Sequence, residues 1–310
     1  MELEASILHE IATDVTSAIL RNAAAPLVGR GGSSDIYRAE LNIGDQVAPV
    51  EVAIKVMRVG VRDVNGENEP PRKAIRRLLR ELSVLEGMDH PGVNKLFGYS
   101  HDFGELPAIV SLWCPHGDAK TYLRDNPDAD RKKMLLEVTA AVEYLHTLQP
   151  PVIHGDIKAT NIFIKENGTP RWMAHELLFN ESADPRAATK ASDMWALGCL
   201  ALEISTGEIP WQAIQCIPRV IALVYCGFTP PRPTGEIAAR LLDDDLWHLI
   251  ETCWHHDPDQ RPDISTFRKD LCHVLKTECP YASSPPSRRP LSLVPYAGLI
   301  IALLLYVLYV

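Results

Sequence analysis

Apolar residues recur at helical spacing from the start of the chain. Leu3, Ile7, Ile11 and Val15 step by four, and Leu8 and Ile19 widen the stripe, so the pattern predicts an amphipathic helix over 2–21, closed by Asn22 to Pro26. Such a helix either packs on a domain edge or binds a partner. From Leu27 to Val59 the texture changes to short β-type runs, of which VEVAIKVMRV is the clearest strand. The polar GVRDVNGENEPP reads as a loop. Pro71 then opens a helix with Ile75, Leu78, Leu79, Leu82 and Leu85 as its stripe and Gly87 as its end. Strand-like sequence continues to about Cys114. Beyond it helices are expected at roughly 118–125, 130–148, 191–206, 213–226, 236–254 and 263–276. A β-rich first third before a helical remainder predicts an α+β fold with two unequal lobes and a cleft between them. The expected divisions are an N-terminal helix at 1–26, a main domain at 27–279 with lobes of about 27–114 and 115–279, a linker at 280–290 and an apolar segment at 291–310.

Composition narrows the class only a little. With 46% hydrophobic and 23% charged residues the chain is ordinary globular protein, and nothing in its net charge of −9 suggests nucleic acid. The seven cysteines are scattered and never form C-x-x-C, which suits reduced thiols better than a disulfide frame or a zinc site. The N-terminus has neither a basic n-region nor a long apolar run, which argues against a signal peptide.

Four spaced elements carry chemistry. Gly29-Arg30-Gly31-Gly32-Ser33-Ser34-Asp35-Ile36-Tyr37 is a glycine-rich stretch whose backbone N–H groups can approach oxyanions because no Cβ intervenes. Val52-Ala53-Ile54-Lys55 puts a lysine in an apolar strand, where it needs either a partner or a route to water. His154-Gly155-Asp156-Ile157-Lys158-Ala159-Thr160-Asn161 gathers a carboxylate, an ammonium and an amide. The C-terminal landmarks are Thr169-Pro170-Arg171-Trp172-Met173-Ala174-His175-Glu176, then Asp193-Met194-Trp195-Ala196-Leu197-Gly198, then Pro258-Asp259-Gln260-Arg261-Pro262. In this order the four resemble the eukaryotic protein kinase family, of the tyrosine-kinase-like serine/threonine type, over about 27–276.

The resemblance implies a two-lobed kinase-like fold, ATP and Mg2+ as cofactors, and a protein substrate or signalling partner. It makes Gly29, Gly31 and Ser34, which stands where a third glycine is usual, the phosphate loop. Lys55 becomes the lysine that holds phosphates and pairs with a helix glutamate. A helical wheel leaves Glu81 and Glu86 open, and the family spacing to His90-Pro91 favours Glu81. Ala53, Leu112 and Cys114 would surround adenine, with Ser111 as a small gatekeeper and Asp118 near the ribose. Asp156 would accept the proton of the substrate hydroxyl, Lys158 would stabilise the transferring phosphoryl group and Asn161 would hold a metal ion. His154, Glu176, Asp193 and Arg261 would be structural. Gly155 stands where arginine is usual, so the arginine contact that reads an activation-loop phosphate is lost.

One part of the pattern is missing. Only residues 162–173 lie between Asn161 and Ala174, and in the family that interval holds two strands, the D-F-G metal ligand and the activation loop. Ile162-Phe163-Ile164 can form one strand and Lys165-Glu166-Asn167-Gly168 a turn, with Glu166 the one carboxylate in reach. The reading that follows is an ATP-binding kinase-family domain with impaired catalysis. Its alternatives are an active kinase that draws metal through Glu166 or Asn161 alone, an incomplete product of a kinase gene, and a non-catalytic scaffold at a membrane. The last rests on LSLVPYAGLIIALLLYVLYV at 291–310, which has no charged side chain. As a helix it would span about 30 Å, and Arg288 and Arg289 before it would keep the domain cytoplasmic, giving a single-pass C-terminal anchor. A helix buried on the C-terminal lobe, with the chain wholly cytoplasmic, is the alternative.

Overall fold

The computed structural model describes residues 8–20, 26–30, 34–44, 48–58, 71–161 and 188–278. Among the described residues six antiparallel strands form the N-terminal lobe: β1 (Ile19–Leu20), β2 (Leu27–Arg30), β3 (Ser34–Leu41), β4 (Val50–Met57), β5 (Leu96–Ser100) and β6 (Ala108–Leu112). Their order is β1-β3-β4-β6-β5, with β2 also on β3. Alternation along β4 sends Val52, Ile54 and Val56 to one face, where they pack with Leu41, Ala108 and Val110. Helix α1 (Pro71–Leu85) lies over the other face, where Leu78 and Leu82 join Met57, Tyr99 and Ile109.

The expected helix over 2–21 needs correction. Its first residues lie outside the described ones, residues 8–11 are helical, and the chain then leaves the helix. Asp14 accepts hydrogen bonds from the Thr16 backbone N–H at 2.9 Å and from the Thr16 hydroxyl, a local turn that competes with helix. Thr13 and Val15 exchange backbone hydrogen bonds with Tyr99 of β5, and β1 follows at once on β3. The segment is thus a strap on the sheet, with Leu8 and Ala12 buried against α1.

The C-terminal lobe is helical: α2 (Ala119–Asp125), α3 (Arg131–Thr147), α4 (Lys190–Thr206), α5 (Ile217–Tyr225), α6 (Glu236–Leu241), α7 (Asp244–Thr252) and α8 (Ile264–Val274). Helix α4 is buried at every position from Ser192 to Thr206, as a helix apolar nearly all round must be. A capping box between Thr189 and Ser192 opens it and Gly207 closes it. The single helix expected at 236–254 is two, because Asp243 accepts from the Leu246 N–H and starts a new helix there. Helix α5 is also shorter than the expected 213–226, since Cys216 is its N-cap.

Two further expectations change. Cys272 is disulfide-bonded, whereas all seven cysteines had suited free thiols. The single-pass anchor and its membrane location are not supported: no helix among the described residues is long and apolar enough to cross a membrane. Residues 280–290 and 291–310 lie outside the described residues.

Candidate functional site

Strand β4 delivers Lys55 to the sheet face that meets α1, and the heptad-like stripe of α1 brings Glu81 to the same place. Their side chains are 9% and 5% exposed, and Lys55 Nζ donates to both Glu81 oxygens, at 2.7 and 2.9 Å. Glu86, the other candidate, lies beyond the helix end and is exposed. A bidentate contact of a buried ammonium is the geometry that such a pair needs to offset desolvation.

Lys55 and Glu81 line a cleft together with Ala53, Leu85, Ser111, Leu112 and Cys114. The far wall comes from β6, whose register sets Ser111 opposite Ala53 and Leu112 opposite Val52. The chain leaving β6 is tied by Trp113 N–H to the Glu51 carbonyl. Burial pushes the Cys114 thiol up to about 12, so it is a neutral wall group and no thiolate. Gly29 belongs to β2, where a bulge between Leu27 and Gly29 interrupts pairing with β3, and Ser34 is fully buried at the start of β3. Gly31 lies outside the described residues. Asp118 is the N-cap of α2: its carboxylate accepts from the Thr121 N–H at 2.9 Å and the Thr121 hydroxyl at 2.8 Å.

A second cluster sits on the loop between α3 and the short 3-10 turn Ala159–Asn161. Asp156 Oδ2 is 3.0 Å from Lys158 Nζ and accepts from Asn161 Nδ2 at 2.6 Å, and the same amide donates to the Asp156 carbonyl at 2.7 Å. The loop hangs from α4. Asp193 accepts from the backbone N–H of His154 and of Gly155, both at 2.8 Å, and its Oδ2 lies 2.9 Å from His146 Nε2. Gly155 has φ +75, which glycine adopts without a Cβ penalty. Arg261 donates to the carbonyls of His255 and Ala191 and stacks over Trp195. Glu176 lies outside the described residues.

Among the described residues no protein-only magnesium cage is present. Magnesium takes an octahedral oxygen shell, usually with carboxylates. The Asp156 carboxylate is already neutralised by Lys158 and engaged by Asn161, and no cluster of three or more His, Cys, Asp or Glu among the described residues could hold a metal ion.

Two residues were not legible beforehand. Asn94 lines the cleft and donates from Nδ2 to Ser111 Oγ and to the Leu112 carbonyl, both at 3.3 Å. The signal for it was a polar residue two before Leu96, on the same strand-like alternation. His146, on the apolar side of α3, reads as an ordinary core residue until Asp193 is brought to it.

The profile of the protein tyrosine and serine/threonine kinase family matches residues 24–170 and 167–271. The chain belongs to this family, and its α+β two-lobed architecture fits the family fold. Similar proteins include serine/threonine-protein kinase CTR1 of Arabidopsis thaliana, 26% identical over 85% of this chain and 32% of that protein. Serine/threonine-protein kinase STY46 of the same plant is 24% identical over 80% and 43%. Fibroblast growth factor receptor 1 of Dugesia japonica is 26% identical over 80% and 31%. The chain therefore spans less than half the length of each. Family membership implies ATP, Mg2+ and protein substrates in general.

Proposed function

We propose that this chain binds ATP in the cleft between Lys55 and the Leu112–Cys114 segment and transfers phosphate from it poorly or not at all. The observation that carries the nucleotide half is the buried Lys55–Glu81 pair on the cleft wall, at 2.7 Å. It supplies a fixed cation for phosphates, beside a backbone edge for the base. Gly29, Gly31 and Ser34 would close over the phosphates, and Asp118 would need to leave its capping bonds to meet a ribose. In the other cluster Asp156 would orient a substrate hydroxyl and Lys158 would face the transferring group. Lys158 with Thr169 favours serine or threonine as acceptor.

The impaired half rests on the 12 residues of 162–173, which contain no D-F-G. Metal ions neutralise charge on the moving phosphoryl group, and without their principal carboxylate the transition state loses that support. The family profile matches in two pieces that meet at 167–170, inside this interval. The CTR1 alignment runs over 295 positions while covering 85% of 310 residues, about 264, so part of that relative has no counterpart here. These two observations equally favour an incomplete product of an ordinary kinase gene. The transcript across codons 164–169 separates the two.

A thermal-shift titration tests nucleotide binding. ATP is expected to raise the melting temperature by a similar amount with and without Mg2+. A shift that appears only with Mg2+ would show that another carboxylate replaces the missing one, and no shift at all would overturn the nucleotide reading.

A further inference from the structure

Helix α5 is apolar on two sides, and only one of them meets the core. Arg219 is its one charged residue, and Val220 and Val224 are buried in the C-terminal lobe. On a second side Pro218, Ala222 and Tyr225 are exposed and Ile221 is half-buried, at the i, i+3, i+4 and i+7 spacing of a single outward stripe. The chain then turns at Gly227, whose φ is +83, and the Phe228 N–H donates to the Leu223 carbonyl at 3.0 Å, which brings Phe228 back beside the end of the helix. Tyr225 is 59% exposed and Phe228 57%, and among the described residues the other large apolar side chains so open are Leu27 and Val28 of β2, in the other lobe. A helix apolar on both sides is normally covered on both.

We propose that the C-terminal segment 291–310 of this same chain covers the outward stripe of α5. The segment, LSLVPYAGLIIALLLYVLYV, has no charged side chain and gains by leaving water. The described chain ends at 278, and residues 279–290, when extended, can span about 40 Å, comparable with the width of the C-terminal lobe. A tether of that length holds the segment near α5 at an effective concentration on the order of millimolar, which favours contact within the chain over contact with a second copy. Arg219 is exposed and lies off the stripe, so an uncharged segment seated there buries no unpaired ion. A bilayer would take up the segment and leave the stripe open, whereas the contact within the chain removes both apolar surfaces from water at once.

Two thiols report the cover from within the molecule. Cys226 is exposed at the end of the stripe, and Cys216 is exposed at the opposite end of α5 as its N-cap. Maleimide labelling of the full chain in detergent-free buffer, read peptide by peptide by mass spectrometry, gives both rates. Ala222→Gln/Phe228→Gln makes the stripe polar, and Leu303→Gln/Leu304→Gln does the same to the segment. Each pair is expected to speed labelling of Cys226 by about tenfold or more and to leave Cys216 unchanged, with thermal unfolding confirming folded chains. The Leu303/Leu304 pair alters no described residue, so it keeps the test decisive if the other pair fails to fold. A wild-type Cys226 that already reacts as fast as in the variants would overturn the proposal, and so would an effect from only one of two folded pairs. Protection that fades on dilution would assign the cover to a second copy. Fast Cys226 labelling with recovery of the full chain on phosphatidylcholine vesicles would assign the segment to a bilayer. Either result overturns the proposal, as would a wild-type chain that stays in solution only with detergent.

Discussion

Lys55 and Glu81 are 26 residues apart in sequence and meet with almost no water around them. Removing one partner leaves a buried ion unpaired, which typically costs more than removing both. Lys55→Met is therefore expected to lower unfolding free energy by about 3 kcal/mol, and Lys55→Met/Glu81→Leu by clearly less. Urea denaturation of both variants checks this, and equal losses would show that the pair is not desolvated. The lysine was legible in the sequence because a charge in VAIKVM breaks an apolar strand. Its partner Glu81 was favoured only by the family spacing to His90-Pro91, since a helical wheel leaves Glu81 and Glu86 open, and the end of α1 at Leu85 puts Glu86 in solvent. Asn94 stayed hidden for a related reason: its inward direction is set by the register of β5 on β6, a tertiary fact.

Between elements, one contact within the N-terminal lobe and one from that lobe to α3 can be tested. The strap reaches β5 at Gly98, whose φ is +143 and where an added Cβ would come within 2.0 Å of the Thr13 carbonyl oxygen. Gly98→Ala should cost about 2–4 kcal/mol and release the strap, seen as faster hydrogen exchange at the Val15 and Tyr99 amides. Unchanged exchange there would mean that the strap is held elsewhere. The strap was read from sequence as continuous helix because its apolar spacing is helical. The Asp14 turn, a local side-chain effect, is what ends that helix. The second contact is the turn after α1, where His90 stacks on Tyr144 of α3 and its Nδ1 accepts from the Gly92 N–H at 3.0 Å. Burial, helped by nearby Arg268, pulls the imidazole down from its ordinary value to about 4. Above pH 6.5 both folded and unfolded states are neutral at this site, so nothing is lost. As pH falls from 6.5 towards 4, unfolded chains take up a proton that the folded ring refuses, and stability drops. Below about 4 the loss levels off. The ring is partly exposed, so the loss should be roughly 2 kcal/mol, less than the full shift would give. Urea midpoints at pH 7 and pH 4.5 measure it. Asn at this position can still accept from the Gly92 N–H, so His90→Asn should flatten the slope, and an unaltered slope would assign it to other groups.

At the scale of the molecule, the lobes, the cleft and both polar clusters follow from motifs whose order the sequence displays, and their closure depends on α4. That helix ties the backbone of the loop around Asp156 in place through Asp193. On the function proposed above, a chain with this loop and no D-F-G within 162–173 should bind nucleotide and fail at chemistry. Phosphotransfer to a generic serine- and threonine-containing protein substrate is expected several powers of ten below an ordinary kinase, each power being about 1.4 kcal/mol of lost transition-state stabilisation. The informative variant is an insertion. Placing a family-like strand and D-F-G segment between Ile164 and Thr169 supplies the missing carboxylate while leaving Lys55, Asp156 and Lys158 untouched. If the loop hung from Asp193 is already competent, the insertion should raise activity by at least about 100-fold, and Asp156→Asn in the inserted chain should abolish the gain. Robust activity in the uninserted chain that Asp156→Asn removes would overturn the impaired reading directly. An insertion that folds, binds ATP with Mg2+ and still does nothing would instead place a second defect in the loop itself, and Gly155 is the residue to examine, as Gly155→Arg in the inserted chain.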